Sequence, residues 1–204
     1  MEKGEYKKII WFFYTIINMK YFKKIVGENI YLAPRTLEDA EKYAKWLNDF
    51  YITDYTGRSH QSMTIENERK YLEEVMSEDG IFGIIELKTD KLIGSVGLHK
   101  INSCKRTGTL GIFIGEREFQ DKGYGTEAVK LILDYGFNYL NLNNVDLSVM
   151  EFNSRAIACY KKCGFKEIGK RRKCEFIDGN YYDSLYMDIL AKEFKERVIK
   201  NRNI

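Results

Sequence analysis

Two glycines at the start of an amphipathic helix constrain this chain more than any other feature. Gly123 and Gly125 follow the apolar stretch Thr109–Ile114 and precede apolar residues at helical spacing: Ala128, Leu131, Ile132, Tyr135, Tyr139 and Leu140. Glycine lets a backbone approach a bound group without a Cβ in the way, and a helix N-terminus attracts anions. The segment therefore predicts a strand, a loop shaped to bind an anion such as a phosphate, and a helix with one buried face.

Two widespread phosphate-binding loops do not fit this segment. A P-loop requires a lysine directly after its last glycine, and this chain has a threonine there. A dinucleotide fingerprint is matched in form by Gly123, Gly125 and Ala128, but it must begin directly at the end of a strand. Here the polar segment 116–122 intervenes, and Asp146, the residue placed to bind a ribose, lies near the start of its strand. The context excludes both loops.

A second motif follows the glycine pair, across one helix and one strand. The segment 153–165, NSRAIACYKKCGF, joins an asparagine suited to capping a helix to a glycine suited to ending it. Together with the segment 120–125, QDKGYG, which matches [QR]xxGx[GA], it resembles the GNAT superfamily of acyl-CoA-dependent N-acetyltransferases. The segment 176–183, with Met187 beyond it, is similar to the branch of ribosomal-protein N-terminal and polyamine or diamine acetyltransferases.

The order of the remaining elements agrees with a mixed sheet. A first strand, two helices that begin after Thr36 and Thr64, and a three-strand meander that ends at Ile114 precede the glycine pair. A strand at 145–149 and a short helix follow it, and then a hairpin whose strands are expected near 165–168 and 182–189 and whose turn lies at 178–180. The resemblance implies an α/β fold of the GNAT type, a mostly antiparallel twisted sheet with one splayed strand and helices on both faces.

The resemblance covers the centre of the chain and leaves its ends open. We expect the acetyltransferase domain over residues 29–190, an N-terminal extension over 1–28 and a helical tail over 191–204. The apolar run Ile9–Ile17 is too short to cross a bilayer, which takes about 20 residues, so no stable membrane insertion is expected. A helix packed on the domain or a partner, an upstream extension with Met19 as the true start, and a membrane-surface contact remain the alternatives.

The resemblance also implies which residues bind acetyl-CoA as a cosubstrate. The backbone of one strand would pair with the pantetheine arm, and the glycine loop would bind the pyrophosphate through its N–H groups and the helix dipole. The cofactor-binding residues expected on this basis are Ile112, Phe113, Ile114, Gln120, Asp121, Lys122, Gly123, Tyr124, Gly125, Thr126, Asn153 and Tyr160.

The chemistry implied by the resemblance is the transfer of an acetyl group to a primary amine. In the family a tyrosine at the position of Tyr160 protonates the departing thiolate, and a neutral phenol can do so at pH 7. Many relatives have a glutamate near the position of Thr109, which cannot act as a base. Glu86, His99 or a chain of water molecules are the candidates for that role. The acceptor amine should bind near residues 51–60.

Composition indicates which classes of partner the protein is expected to bind. The formal net charge of +3 gives no reason to expect nucleic acid, and the basic run 170–173 is typical of a solvated strand edge. The four cysteines form no CxxC pair and there are two histidines, so no metal is expected. We expect a cytoplasmic enzyme, with a homodimer left open, that acts on a protein N-terminus, a polyamine or diamine, or an amino-bearing small molecule. An acyl-CoA-binding sensor or scaffold without catalysis is the alternative.

Overall fold

A computed structural model describes residues 20–76 and 78–200, so the apolar run Ile9–Ile17 lies outside the described residues. The strands are β1 (Ile25–Val26), β2 (Ile30–Pro34), β3 (Ile81–Glu86), β4 (Leu92–Asn102), β5 (Thr107–Ile114), β6 (Asn144–Met150), β7 (Lys166–Ile177) and β8 (Asn180–Leu190). The helices are α1 (Ala40–Leu47), α2 (Phe50–Thr53), α3 (Ile65–Val75), α4 (Tyr124–Asn138) and α5 (Ser154–Lys162). Short 3-10 helices cover Leu37–Asp39 and Arg117–Phe119.

The strands form a single mixed sheet in the order β1-β2-β3-β4-β5-β6-β8-β7. Neighbouring strands are antiparallel except β5 and β6, which run parallel. A parallel pair requires a crossover connection, and α4 supplies it between β5 and β6. The expected mostly antiparallel sheet is therefore confirmed.

The expected splayed strand lies at the centre of the sheet. Strands β5 and β6 are paired only where Thr107–Thr109 lies beside Asn144–Asp146. Beyond Thr109 the two strands diverge, while the other edge of β5 stays paired with β4 as far as Ile114. The edge of β5 over residues 110–114 is therefore free to meet another group in the gap.

Two hydrophobic cores cover the two faces of the sheet. Along β2, Ile30 and Leu32 pack in one core with α4, whereas Tyr31 and Ala33 pack in the other core with α1. This alternation follows from the two-residue period of a strand, and it makes β2 apolar on both faces. Helices α4 and α5 therefore cover one face, and α1, α2 and α3 cover the other.

The folded domain starts before residue 29, the first residue that the sequence predicts for it. Strand β1 pairs with β2, and the side chains of Tyr21 and Ile25 are buried. The Tyr21 hydroxyl also donates to Asp39 at 2.9 Å. Residues 20–28 therefore form one edge of the sheet instead of belonging to a separate extension.

The predicted helical tail is wrong for the part of it that the structure describes. Residues 191–193 form a turn and 194–200 have no helix. Asp134 on α4 accepts hydrogen bonds from the backbone N–H groups of Val198 at 2.7 Å and Ile199 at 3.1 Å. The Lys200 N–H donates to the carbonyl of Val26 at 2.8 Å. These N–H groups bind other elements, so they are not available to form helical hydrogen bonds.

Strand β7 is longer than the sequence predicts, because the strand was expected only near 165–168. Its basic run 170–173 is exposed on the outer edge of the sheet; Lys170 and Arg171 pair with β8, and a register shift follows Arg171. Charged side chains on an edge strand discourage pairing with a second protein, so this run is compatible with a solvated edge. Within residues 20–76 and 78–200, no helix is long and apolar enough to span a bilayer.

Candidate active site

A cavity of about 680 Å³ lies where β5 and β6 diverge. Its walls are built from β5, β6, the glycine loop, α5, the helices α1 and α3, and the last hairpin. The predicted site residues that line it are His99, Ile112, Phe113, Ile114, Gln120, Asp121, Gly123, Gly125, Thr126, Asn153 and Tyr160. Lys122, Tyr124 and Glu86 are not among its lining residues.

The glycine loop presents open backbone to this cavity. Gly123 has a φ of +87°, a conformation that side chains with a Cβ rarely adopt. A Cβ added at Gly123 would meet nothing within 4 Å, and one added at Gly125 would meet only Ile114, at 4.0 Å. Helix α4 begins at Tyr124 without a side-chain cap, so its first N–H groups face the space in front of the loop. The loop therefore has the shape and polarity of an anion cradle.

Gln120 fixes the glycine loop to three neighbouring elements. Its Nε2 donates to the carbonyl of Ile114 at 2.9 Å, which ties the loop to the end of β5. Its Oε1 accepts from the Tyr51 hydroxyl at 3.1 Å and from Arg155 Nη1 at 2.8 Å. Arg155 also forms an ion pair with Asp121 at 3.4 Å. Gln120 and Asp121 therefore position the loop against α2 and α5.

Asn153 and Tyr160 stand at the two ends of α5. Asn153 caps the helix, because its Oδ1 accepts from the N–H of Ala156 at 3.1 Å. The Tyr160 ring is 9% exposed and packs edge-on against Phe165, with 5.8 Å between ring centroids. Burial raises the pKa of Tyr160 well above its usual value, so the phenol stays neutral. Among the described residues no hydrogen-bond partner is found for its hydroxyl, which is available to donate into the cavity.

The structure does not bring Glu86 to the cavity. Glu86 lies at the end of β3, where it accepts from the Tyr124 hydroxyl at 2.8 Å and from Thr89. These hydrogen bonds, first that of Thr89 and then that of Tyr124, lower the pKa of Glu86. Glu86 is therefore not placed to act as the base, contrary to the expectation from the sequence. Tyr124 uses its hydroxyl to hold Glu86, away from the cavity wall.

His99 does lie in the cavity wall. It is half-buried on β4, and a Cβ added at Gly111 would come within 3.0 Å of its Nε2. The His99 ring therefore lies against Gly111 of β5, the residue before Ile112. Burial lowers the pKa of His99, and the guanidinium groups of Arg35 and Arg58 lower it further. His99 is accordingly neutral at pH 7.

The sequence did not identify a group of polar side chains that lines the cavity beside His99. Glu68 on α3 is 1% exposed, and neither of its carboxylate oxygens has a hydrogen-bond partner in the described part of the chain. The Tyr43 hydroxyl and Arg35 Nε are buried without a partner in the same way. We call this group the Glu68 cluster; its members are Arg35, Tyr43, Glu68, Tyr71, Ser95 and His99.

One sequence signal could have pointed to Glu68. The buried residues of α3 are Glu68, Leu72 and Val75, which recur at the spacing of one helix face. An acidic residue on the apolar face of an amphipathic helix is unusual, because burial of a charge is costly unless it is paired. Burial raises the pKa of Glu68 to about 7, and the positive charges of Arg35 and Arg58 limit that rise.

The segment near residues 51–60 forms the outer wall of the same cavity. Tyr51, Tyr55 and Arg58 line it, whereas His60 does not. Arg117 stacks on the Tyr51 ring, 4.1 Å from its centroid, and forms an ion pair with Asp49 at 2.8 Å. The described residues contain no group of three or more His, Cys, Asp or Glu side chains suited to hold a metal ion.

Comparison with known proteins agrees with this geometry. The family described as "Acetyltransferase (GNAT) domain" matches residues 29–166. "Probable N-acetyltransferase YjcK" of Bacillus subtilis (strain 168) is 32% identical over 173 residues, which cover 80% of this chain and 95% of that protein. The spermidine N(1)-acetyltransferase of Escherichia coli (strain K12) is 30% identical over 168 residues, covering 82% and 89%.

A solved structure gives the same result at the level of the fold. The crystal structure of spermidine N-acetyltransferase from Vibrio cholerae in complex with CoA and spermine superposes with a TM-score of 0.75. It is 27% identical and covers 81% of this chain and 97% of that chain. The superfamily inferred from the two motifs and the branch inferred from the segment 176–183 are confirmed, and the chain belongs to the GNAT family of acetyltransferases.

Proposed function

We propose that this enzyme transfers the acetyl group of acetyl-CoA to a primary amine by direct attack within a ternary complex. One observation carries the proposal: the free edge of β5, the glycine loop and Tyr160 all face one cavity. A donor and an acceptor held together in such a space react faster because little entropy is lost at the transition state.

The walls of the cavity fit coenzyme A. The N–H groups at the start of α4 and the open backbone at Gly123 and Gly125 would hold the pyrophosphate. The free edge of β5 over residues 110–114 would pair with the amide groups of the pantetheine arm. Arg155 also lines the cavity, where it forms an ion pair with Asp121. Bound coenzyme A supplies the activated acetyl thioester.

Tyr160 is the proposed general acid of the reaction. Its hydroxyl would donate a proton to the sulfur that leaves when the acetyl group is transferred. The neutral state that burial imposes on Tyr160 is the one this role requires. Because the ring packs on Phe165, the hydroxyl keeps its position without a hydrogen-bond partner from the described residues.

The acceptor amine would enter between α2, α3 and the last hairpin. Spermidine is the acceptor named for two of the relatives, and a protein N-terminus or an amino-bearing small molecule would satisfy the same chemistry. The four cysteines are free thiols, which suits the reducing cytoplasm where we propose that the enzyme works.

The proposal is tested by incubating the full chain with acetyl-CoA and a panel of amines. Spermidine, cadaverine, an alanine-tipped tetrapeptide and an aminoglycoside cover the proposed acceptor classes, and release of free thiol reports the transfer. We expect thiol release above the rate of hydrolysis with at least one class.

Thr109 favours one alternative, an acyl-CoA-binding module without catalysis, because it stands near the position where many relatives have an acid. Calorimetry with acetyl-CoA separates the two functions. Micromolar binding without turnover of any amine would support the binding module and contradict the enzyme.

A further inference from the structure

We propose that Glu68 is the carboxylate that receives the acceptor's amine and takes its proton. The inference rests on the proposed function and deepens it, because it assigns the base that neither Thr109 nor Glu86 can supply. Glu68 is buried, lacks hydrogen-bond partners among the described residues and has two arginines near it.

The first observation is the unsatisfied state of the carboxylate. Glu68 lines the cavity, its side chain is 1% exposed, and both oxygens lack a hydrogen-bond partner within residues 20–76 and 78–200. A buried acceptor without a donor is costly to the folded state, so such groups are rare unless a ligand satisfies them. A primary ammonium group carries three N–H donors and would satisfy both oxygens.

The second observation is the rigid arrangement of the neighbouring cation. Arg35 donates to Ser95, whose hydroxyl donates in turn to the carbonyl of Phe82 at 3.1 Å. The Arg35 guanidinium also stacks on the rings of Tyr43 and Tyr71, 5.1 and 5.8 Å from their centroids. These contacts hold Arg35 close enough to lower the pKa of Glu68, although it forms no ion pair with the carboxylate in the described chain. The carboxylate stays available to a ligand.

The charged and titratable groups around Glu68 come from every element that packs against it. Arg35 follows β2, Tyr43 lies on α1, Arg58 follows α2, Tyr71 lies on α3 and His99 lies on β4. Arg35 and Arg58 also depress the pKa of His99, which weakens it as a base. The same two guanidinium groups limit the rise that burial causes in the pKa of Glu68, so a substantial fraction of its carboxyl group is ionised at pH 7 and able to accept a proton.

The proton transfer follows from these surroundings. An alkylammonium group has a pKa of about 10 and cannot attack a carbonyl carbon until it loses a proton. Burial raises the pKa of Glu68 to about 7, which makes it a better proton acceptor than an exposed carboxylate. One N–H bond of the ammonium breaks, one O–H bond forms on Glu68, and the proton later passes to solvent. No oxidant, reductant or metal takes part in the step.

The first test compares Glu68→Gln with Glu66→Gln, a matched control because Glu66 is exposed on the same helix. Each variant is assayed from pH 5.5 to 9 with the amine that the unmodified enzyme acetylates fastest. We expect kcat/KM of Glu68→Gln to fall about a hundredfold or more, with acetyl-CoA affinity within about twofold. The rise of kcat/KM through pH 7 should disappear in Glu68→Gln alone. A variant that keeps the rate and the rise would overturn the proposal.

His99 provides a second comparison, since it lines the same cavity. We expect His99→Gln to keep the rise through pH 7, even where its rate is lower. Loss of that rise in His99→Gln, with its retention in Glu68→Gln, would assign the base to His99 and overturn the proposal.

The last test does not depend on turnover, so it separates this inference from the proposed function. Glutamate labelled with carbon-13 at the side-chain carboxyl gives a resonance for Glu68 that is identified by its absence in Glu68→Gln. We expect this resonance to titrate near pH 7 and, with coenzyme A bound, to shift toward the ionised position at pH 7 on addition of spermidine or 2-phenylethylamine. If neither amine moves it at saturation, Glu68 does not receive the amine, whatever the outcome of the thiol assay.

Discussion

At the scale of single residues, the proposed chemistry rests on two buried polar groups, Tyr160 and Glu68. Both line the cavity, and no hydrogen-bond partner is found for either the Tyr160 hydroxyl or the Glu68 carboxylate among the residues described. Proteins normally pair such groups, because an unpaired buried donor or acceptor costs about 1–3 kcal/mol. Stability and activity should therefore respond in opposite directions when Glu68, whose two oxygens are both buried, is changed.

Replacement of Tyr160 by phenylalanine removes the hydroxyl and leaves the packing against Phe165 intact. We expect kcat to fall about a hundred- to a thousandfold, because general acid catalysis contributes effects of that size. The dissociation constant of acetyl-CoA should stay within about threefold. Thiol release and calorimetry measure the two quantities, and Tyr186→Phe, which changes an exposed tyrosine outside the cavity, is the control. Wild-type turnover in Tyr160→Phe would remove this residue from the mechanism.

Replacement of Glu68 by glutamine should stabilise the protein at alkaline pH. The pKa of Glu68 rises from an ordinary value of 4.5 in the unfolded chain to about 7 in the fold. The folded state therefore loses stability as the pH rises from 4.5 to 7, and the loss is complete above 7. Glutamine removes this loss, so we expect a gain of up to about 3 kcal/mol at pH 8 and almost none at pH 4.5.

Urea unfolding at the two pH values measures this difference, with Glu66→Gln as the control. A structural role for the carboxylate predicts the reverse, a glutamine variant that is less stable at pH 8. The measurement thus distinguishes a group kept for function from one kept for the fold.

At the scale of elements, the glycine loop depends on its own residues for its shape and on neighbouring elements for its position. Gly123 and Gly125 determine where the backbone is open, and Gln120 determines where the loop lies through its bonds to Ile114 and Arg155. The open backbone is a property of the motif itself. The position of the loop beside the free edge of β5 depends on the sheet.

Replacement of Gly125 by alanine tests the role of the open backbone. Gly125 lies in the first turn of α4, and an added Cβ would meet only Ile114 at 4.0 Å. We expect stability to stay the same or rise by about 0.5–1 kcal/mol, because alanine favours a helix. Coenzyme A affinity should fall about tenfold or more, because the methyl group would occupy the space of the pyrophosphate. Thermal unfolding and calorimetry measure the two effects.

Gly169→Ala is the matched control for that variant. Gly169 is an exposed glycine on β7 and a Cβ there would meet nothing within 4 Å. Its coenzyme affinity should not change. Equal affinities in the two variants would contradict the assignment of the glycine loop to the pyrophosphate.

At the scale of the whole molecule, the C-terminal segment of the described chain is bound both to α4, through Asp134, and to the first strand. Asp134 is 0% exposed on α4 and binds the backbone of Val198 and Ile199, while Lys200 bonds to Val26 on β1. The C-terminal segment thus crosses α4 and reaches the first strand. It packs against the core that lies between α4 and the sheet.

Replacement of Asp134 by alanine should weaken the attachment of the C-terminal segment to α4. The variant leaves one buried and one half-buried N–H group without an acceptor, so we expect the free energy of unfolding to fall by about 3 kcal/mol. The melting temperature should fall by about 6–12 °C. Calorimetric unfolding measures both, and Glu196→Ala, which breaks an exposed ion pair with Lys130, should change stability by less than about 1 kcal/mol. Equal stability in the two variants would show that the tail does not depend on Asp134.

The sequence by itself determined the features contained in short contiguous segments. The glycine loop, the cap at Asn153 and Tyr160 on α5 were predicted because helix and turn geometry is set by residues a few positions apart. The mixed sheet followed from the resemblance that these segments carry. The extent of β7 was missed because its polar, exposed residues lack the alternation that predicts a strand.

The tertiary structure alone decided how distant residues meet. Arg35, Glu68 and His99 come from a loop, a helix and a strand and line one cavity. Glu86 lies outside that cavity and accepts a hydrogen bond from Tyr124. The tertiary structure also replaced the expected terminal helix by a segment bound to Asp134. Burial, and hence the pKa of a carboxylate or the fate of a backbone N–H group, depends on contacts between residues far apart in the chain. Local periodicity cannot encode those contacts.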